Sequence, residues 1–554
     1  MSAAAPHSDF RRRKLLRRAQ ALVKTDPQTA LRTVHQLLDG GAATPEVFQL
    51  EANLLLSLGC GTIAARAAEQ AIKAGGERLS LLLLLLKCHL TAFNRKPASR
   101  VIDELLGMEP LPDEAKAEIA HGAQEIHRYD IAKRLYDELL IRDAMNVKNW
   151  INVGYAEQKN GNMERAENCY RSAIAVRPDS VNAVRLLASV RKQTARDNCL
   201  VEIKEAMERV DPQSEEYVTA AYALGKTYED LEEYGNAFIA FKAGADVMRP
   251  KMPYSTNAIK AAFAATRDYF RHPSHLDRAE RRLDSFRSSC DAGPQPLFIL
   301  GMPRTGSTLL DRMISSHSEV RSMGELGCFK ESMKVLTGFG GGEGFHEHFY
   351  AQPERDIDLA VLGRSYVEAA APDDFSGRYF IDKYPMNFMD FGLIAAALPG
   401  ARFIHTIRNP MDTIFGNFKQ LFTLGFYHYS YDLKECAEYF VEYQKMMAYW
   451  KSLAPGRILD VCYEDVVEDP RREIARTLEF LGLDWEDACL NYHKSKAPVD
   501  TASLSQVRQP IYKSAVGNWM RYGDLLNDAA ETLRRNEVAF EEGGLRSHGA
   551  EAQP

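Results

Sequence analysis

The chain has 554 residues, 45% hydrophobic and 26% charged, with a formal net charge of −7. That length exceeds one ordinary core and predicts two or more domains. The acidic balance argues against a general nucleic-acid binder, although a local basic site can still hold phosphate.

The basic start, Arg11 to Arg13 with Lys14, Arg17 and Arg18, encloses Leu15 and Leu16 and reads as the polar face of a first helix. No apolar run follows it, so a secretory signal is not expected. The most hydrophobic stretch, Leu79 to Leu86, is broken by Ser80 and closed by Lys87. It is far shorter than the roughly 20 residues of a membrane span and predicts a buried helix. Nine scattered cysteines contain no CxxC pair, so neither a metal site nor a disulfide framework is expected, and a cytoplasmic location is.

Alanines stand at positions 30, 64, 98, 132 and 166, each step being 34 residues. In the clearest unit, 147–180, Gly154 and Ala166 are small contact residues, Trp150 and Tyr170 fill the space between helices, and Pro178 ends the second helix. A further unit reads Leu224, Gly225, Tyr228, Ala237, Phe241, Pro250. Between them Leu200 falls on the 34-residue step, which predicts a degraded repeat followed by a short insertion before Ala237. The period and the small residues resemble the tetratricopeptide family. The resemblance implies an α-solenoid over 12–250 whose concave face binds peptide or protein, or packs as a dimer surface.

A charged helical connector, 251–293, leads to a change of texture. Pro296 to Leu300 is an apolar run suited to a buried parallel strand. Gly301-Met302-Pro303-Arg304-Thr305-Gly306-Ser307-Thr308 follows, and then a helix-like stretch from Leu309. Strand, glycine-bounded loop and helix aim backbone N–H groups and a helix N-terminus at a phosphate. The spacing imitates a nucleotide P-loop, but Ser307 stands where the lysine would be and the positive charge sits at Arg304. A second strand, Ala401 to Ile407, of alternating type, ends in Arg408-Asn409-Pro410. An arginine leaving a strand just before a helix can hold a phosphate dianion in a fork of two hydrogen bonds.

The segment 303–308 resembles the 5′-phosphosulfate loop of sulfotransferases that use 3′-phosphoadenosine 5′-phosphosulfate (PAPS). Arg408-Asn409-Pro410-x-Asp412 resembles their 3′-phosphate strand and helix. Further matches are Asp382-Lys383-Tyr384-Pro385, Cys462-Tyr463-Glu464-Asp465, Phe480-Leu481-Gly482-Leu483, Arg508 to Ser514, and Val516-Gly517-x-Trp519. The resemblance is to the bacterial tetratricopeptide-repeat sulfotransferases, related to the tyrosylprotein sulfotransferases. It implies an α/β domain over 294–540 with a mostly parallel sheet, P-loop-like; the glycine- and polar-rich residues after Glu541 read as a disordered tail, 541–554.

The same resemblance implies the site. Arg304 would steady charge on the sulfuryl and 5′-phosphate groups, with Thr305, Gly306, Ser307 and Thr308 as loop donors and Lys383 as a second cation near the bridging oxygen. Glu325, 21 residues after Arg304, would be the base, against the alternative of a structural pair with Arg304 or Arg321. His317 and His405 are rival bases, His405 reading as a packed core residue. Arg408 would hold the 3′-phosphate with help from Lys513, and Tyr463 and Ser505 would contact the nucleotide or the transition state. Gly416 stands where the family has a serine eight residues after the arginine, with Thr413 or Asn417 to compensate. The aromatic tract Phe415, Phe418, Phe422, Phe426, Tyr427, Tyr429 and Tyr431 is either an acceptor wall or a core face. Protein tyrosine is the favoured acceptor, with a small-molecule hydroxyl second. The competing readings are a P-loop kinase or NTPase and a catalytically inactive repeat scaffold.

Overall fold

The computed structural model of the chain describes residues 5–271, 293–337, 349–352, 357–372, 374–422, 427–494 and 509–541. Helices come first: α1 (Ala5–Leu22), α2 (Pro27–Asp39), α3 (Pro45–Ser57), α4 (Gly61–Lys73), α5 (Arg78–Thr91), α6 (Arg95–Leu106), α7 (Asp113–Glu125) and α8 (Tyr129–Arg142). They continue with α9 (Val147–Asn160), α10 (Met163–Val176), α11 (Val181–Val190), α12 (Leu200–Glu208), α13 (Glu215–Asp230), α14 (Tyr234–Met248) and α15 (Thr256–Arg271). Residues 272–292 of the expected connector, and the tail beyond Glu541, lie outside the described residues.

The 34-residue alanines explain the helix pairing. Ala30, Ala64, Ala98, Ala132, Ala166 and Ala237 are each the fourth residue of α2, α4, α6, α8, α10 and α14, and each has 0% exposure. Each also donates its backbone N–H to the residue four positions earlier, at the helix entry. A larger side chain there would push the paired helix away. Gly154 acts likewise: a Cβ on it would lie 2.6 Å from the Tyr170 ring, and one on Gly225 would lie 2.6 Å from Phe241. Asp26, Asn146 and Ser214 cap α2, α9 and α13 by accepting backbone N–H bonds.

The register between Ala166 and Ala237 differs from the sequence reading. The fourth residue of α12 is Ile203, also at 0% exposure, and Leu200 begins that helix. Ile203 is 37 residues after Ala166 and 34 before Ala237, so the insertion precedes α12 rather than following it. The three extra residues fall in the loop around the Thr194–Asp197 bridge. The apolar run at 79–86 forms α5, as expected, with Leu81, Leu82, Leu84, Leu85 and Leu86 buried.

The C-terminal half runs β1 (Gln295–Gly301), α16 (Ser307–Ile314), β2 (Val320–Ser322), α17 (Cys328–Thr337), α18 (Leu359–Ala370), β3 (Tyr379–Asp382) and α19 (Phe391–Ala397). It continues with β4 (Arg402–Ile407), α20 (Pro410–Phe418), α21 (Leu433–Leu453), β5 (Ile458–Cys462), α22 (Tyr463–Glu468), α23 (Pro470–Leu481) and α24 (Asn527–Arg535). Among the described residues five strands lie in the order β2-β3-β1-β4-β5, and every neighbouring pair is parallel. Leu297 and Ile299 point to one face and pack with Leu310, Met313, Ile404 and Leu478. Phe298 points to the other, stacked on Phe403 at 5.4 Å, and Phe403 meets Phe391 at 4.7 Å. Helices on both faces therefore bury the sheet. This is why β4, expected to alternate, instead has Phe403, Ile404, His405 and Thr406 all buried.

The contacts divide the chain into two compact units. One comprises Met1–Arg142 with Leu326–Phe349 and Glu354–Ala370, so α17 and α18 pack with the first repeats. Lys334 of α17 donates to the Gly59 carbonyl at 2.8 Å, and the Thr62 N–H donates to Glu331 at 3.2 Å. The other comprises Asp143–Glu325, Tyr350–Pro353 and Ala371–Pro554, so the later repeats and the sheet share one unit. Among the described residues no helix is long and apolar enough to cross a membrane.

Candidate active site

The strand order reverses between β1, whose next strand in the chain lies on the β3 side, and β4 on its other side. Ligands bind at such a switch point, beyond the C-terminal ends of the strands. The loops leaving β1 and β4 meet there. Thr305 Oγ1 donates to the Met302 carbonyl and shares a bond with Thr406 Oγ1, both at 2.8 Å, which ties the first loop to β4. Arg304 turns the chain with φ +70°, Gly306 follows at φ +92°, and α16 starts at Ser307. At Gly306 only a hydrogen fits, since a Cβ would lie 2.5 Å from the Tyr463 ring.

The second loop locks onto the first. Arg408 Nη1 donates to the Arg304 carbonyl at 3.1 Å, Nη2 donates to the Ala515 carbonyl, and Asp412 lies 3.5 Å away. Asn409 caps α20 through Met411 and Asp412, and Asn417 Nδ2 donates to the Pro303 carbonyl at 2.9 Å. Arg408 lies 4.6 Å from the Tyr463 ring centroid, the distance of a cation–π contact. Its Nε is buried without a hydrogen-bond partner. Loss of water, with the Arg408 charge beside it, lowers the Arg304 guanidinium from its ordinary pKa.

Together these loops line a cleft of about 890 Å³ of free space, open water at its mouth included. Arg304, Gly306, Ser307, Thr308, Arg408 and Tyr463 are in its wall. Thr305 is not; it is 2% exposed and its hydroxyl is used within the loop. Tyr512 lines the cleft where Lys513 was expected, and Lys513 is exposed on the surface. Ser505, expected against the nucleotide, lies outside the described residues.

The profile described as "Sulfotransferase family" matches residues 296–487, from β1 through the turn after α23. A tetratricopeptide-repeat profile matches 147–180, the unit formed by α9 and α10. An uncharacterized protein of Aquifex aeolicus is 28% identical over 390 residues, covering 69% of this chain and 49% of that protein. Protein-tyrosine sulfotransferase 2 of Gallus gallus is 24% identical over 249 residues, covering 42% of this chain and 66% of its own. The chain thus spans about half of the first relative's length and just under two thirds of the second's. The solved sulfotransferase domain from the Synechococcus PCC 7002 olefin synthase aligns at 22% identity over 45% of this chain and 97% of its own, with a TM-score of 0.30.

A second cluster is set by sheet register. Ser322 of β2 pairs with Ile381 of β3, and the ladder runs on through Met323 N–H to the Ile381 carbonyl and Lys383 N–H to the Gly324 carbonyl. That register brings Glu325 against Lys383, which are 58 residues apart in sequence, and Lys383 Nζ donates to Glu325 Oε1. Lys383 is buried at 1% side-chain exposure while Glu325 keeps 36%. Glu325 therefore pairs with neither Arg304 nor Arg321, and Arg321 instead holds Asp374 at 2.6 Å. Lys383, expected near a bridging oxygen, is directed at Glu325. Neither residue is in the cleft wall.

Between the two clusters runs α16. Its first turn supplies Ser307 and Thr308 to the cleft, and Asp311, one turn on, is 5% exposed and bonds Ser322. Burial holds the Asp311 carboxyl above its ordinary pKa, with Lys383 opposing. The sequence reading missed Asp311, although its spacing of three from Thr308 puts it on the same helix face.

The rival bases are buried and hydrogen-bonded. His317 is buried, its Nε2 donating to the Asp484 carbonyl at 2.9 Å and its Nδ1 accepting the Glu319 N–H at 3.1 Å. His405 is buried in β4, with Nδ1 2.8 Å from Asp460 and Nε2 bonded to Tyr443. Most of the aromatic tract is core. Phe418 stacks on Phe238 of α14 at 6.1 Å and Tyr429 on Tyr439 at 4.0 Å, while Phe415 both meets Tyr522 at 4.2 Å and lines the cleft. Phe426 lies outside the described residues.

Proposed function

We propose that this chain is a PAPS-dependent sulfotransferase, moving a sulfuryl group to an acceptor hydroxyl, with protein tyrosine as the favoured acceptor and a small-molecule hydroxyl second. The observation that carries the reading is the convergence of Arg304 and Arg408 on one cleft at the sheet's switch point, beside a phosphate loop with serine in place of the P-loop lysine. The residues present fit a bisphosphorylated nucleotide. Arg408 Nε is an orphaned donor in the cleft wall, α16 directs its N-terminus there, and Tyr463 and Tyr512 supply aromatic surface.

The donor supplies an activated sulfuryl group. Arg304, Gly306, Ser307 and Thr308 hold its 5′ end and offset charge as the leaving phosphate forms. Arg408 holds its 3′-phosphate. Glu325, exposed on one side and held by buried Lys383 on the other, takes the proton of the acceptor hydroxyl. The repeats present a polypeptide acceptor, and the chain works in the cytoplasm.

Isothermal titration of the full chain with adenosine 3′,5′-bisphosphate tests the donor. Binding that Arg408→Ala weakens by roughly 30-fold or more is expected, since a buried charged hydrogen-bonding group is removed. Binding of ATP in preference to the bisphosphate would replace this reading with an NTPase.

A further inference from the structure

The cleft contains a cation that neither the loop nor the Arg408 strand supplies. Lys419 follows α20 directly, three residues after Gly416 and so on the same side of the helix. Gly416, Lys419 and Asn518 all line the cleft with Arg304 and Arg408. The Lys419 ammonium lies 5.3 Å from the Phe415 ring centroid and 2.5 Å from Glu229 Oε1. Glu229 belongs to α13, in the last helical repeat, and is not part of the cleft wall.

Glu229 does not depend on Lys419 alone. The same Oε1 accepts Asn518 Nδ2 at 3.0 Å and Tyr522 Oη at 2.9 Å. Burial would raise its pKa, but Lys419 and these donors outweigh burial and keep the carboxyl below its ordinary value. The carboxylate thus keeps two neutral donors if the ammonium leaves. A lysine on a four-carbon stem can turn from a carboxylate to a phosphate without moving the helix.

We propose that Lys419 is a further phosphate-binding cation of the cleft, acting on the phosphoryl group held by Arg408, and that Glu229 of the last repeat is its resting partner. This rests on the donor reading above. It makes one repeat residue a determinant of donor affinity: Glu229 holds Lys419 in the empty cleft and competes with the phosphate for it.

The test is titration of the full chain with adenosine 3′,5′-bisphosphate and with adenosine 5′-phosphate, with melting temperatures checking that each variant folds. Lys419→Met should weaken the bisphosphate roughly tenfold, flatten its dependence on salt, and leave the monophosphate almost unchanged. Glu229→Gln keeps an oxygen for Asn518 and Tyr522, and should tighten the bisphosphate several-fold by removing a competing charge. That gain should vanish in Glu229→Gln/Lys419→Met. Lys419→Arg should retain most of the affinity. Unchanged bisphosphate binding by Lys419→Met overturns the inference alone, as does an equal loss for the monophosphate or a Glu229→Gln gain that survives without Lys419. Absence of bisphosphate binding by the unaltered chain overturns the donor reading, and this inference with it.

Discussion

Gly416 and Arg304 touch: a Cβ built on Gly416 would lie 3.1 Å from the Cβ of Arg304. Arg304 cannot easily withdraw, because its φ of +70° is fixed by a loop tied at Pro303 to Asn417 and at Thr305 to Thr406. Glycine at 416 therefore lets the loop arginine sit close to α20. The counterintuitive expectation is that Gly416→Ser, which supplies the hydroxyl that the resemblance leads one to expect there, weakens adenosine 3′,5′-bisphosphate binding by roughly three- to tenfold, at a crowding cost of about 1 kcal/mol. Gly416→Ala should do the same, since crowding and not the hydroxyl is at work. Tighter binding by Gly416→Ser in a calorimeter contradicts this.

The Glu325–Lys383 pair lies outside the cleft wall, so on the proposed function its loss should separate chemistry from donor binding. Glu325→Gln should lower kcat on the order of 10²- to 10⁴-fold, the range for removal of a general base, with bisphosphate affinity within about twofold of the parent. Steady-state kinetics beside calorimetry make the comparison. A loss of donor affinity equal to the loss of rate would place Glu325 in binding instead.

Local patterns were legible in the sequence, and long-range register was not. The 34-residue alanines gave the helix period because a small residue is required once per repeat at the closest approach. The site loop was legible because strand, glycines and helix start are adjacent in the chain. The Glu325–Lys383 contact is different: it depends on which strand lies beside β2, and nothing local to either residue carries that. The same holds for Glu229 and Lys419, 190 residues apart. Lys513 was misplaced because residues 509–517 contain little regular structure, so no period says which side chain turns inward. The insertion was put on the wrong side of α12 because Leu200, an apolar residue on the expected step, resembles a core position and instead begins the helix.

Asp311 gives a pH signature. Its folded pKa is raised by burial, so the folded chain holds that proton more tightly than the unfolded chain. Stability is then lost as pH rises past the ordinary carboxyl value of about 3.9, where the unfolded chain ionises. Asp311→Asn removes that loss. Its melting temperature should exceed the parent's by a few degrees at pH 8, and the difference should shrink toward zero near pH 4. Differential scanning across that range decides it. A variant less stable than the parent at pH 8 means that the Asp311 charge is net stabilising through Lys383.

Glycines in the repeats should divide by what surrounds them. Gly154→Val places a side chain against Tyr170 and should cost about 1–3 kcal/mol. Gly235, in the first turn of α14, has nothing within 4 Å of where a Cβ would stand, so Gly235→Ala should be neutral or stabilise by up to about 1 kcal/mol. Urea denaturation of the two variants checks the contrast. Equal effects would mean that the α9–α10 contact is looser than the Tyr170 approach implies.

The most direct measurement is transfer of radiolabelled sulfate from PAPS to a set of tyrosine-containing peptides by the full chain, with Arg304→Ala in parallel. Label on the peptide tyrosine, with release of adenosine 3′,5′-bisphosphate in equal amount and loss of at least about 100-fold in Arg304→Ala, is the expected result. Binding of the bisphosphate with no transfer to tyrosine peptides or to small phenols and alcohols would contradict this reading and leave a nucleotide-binding repeat scaffold.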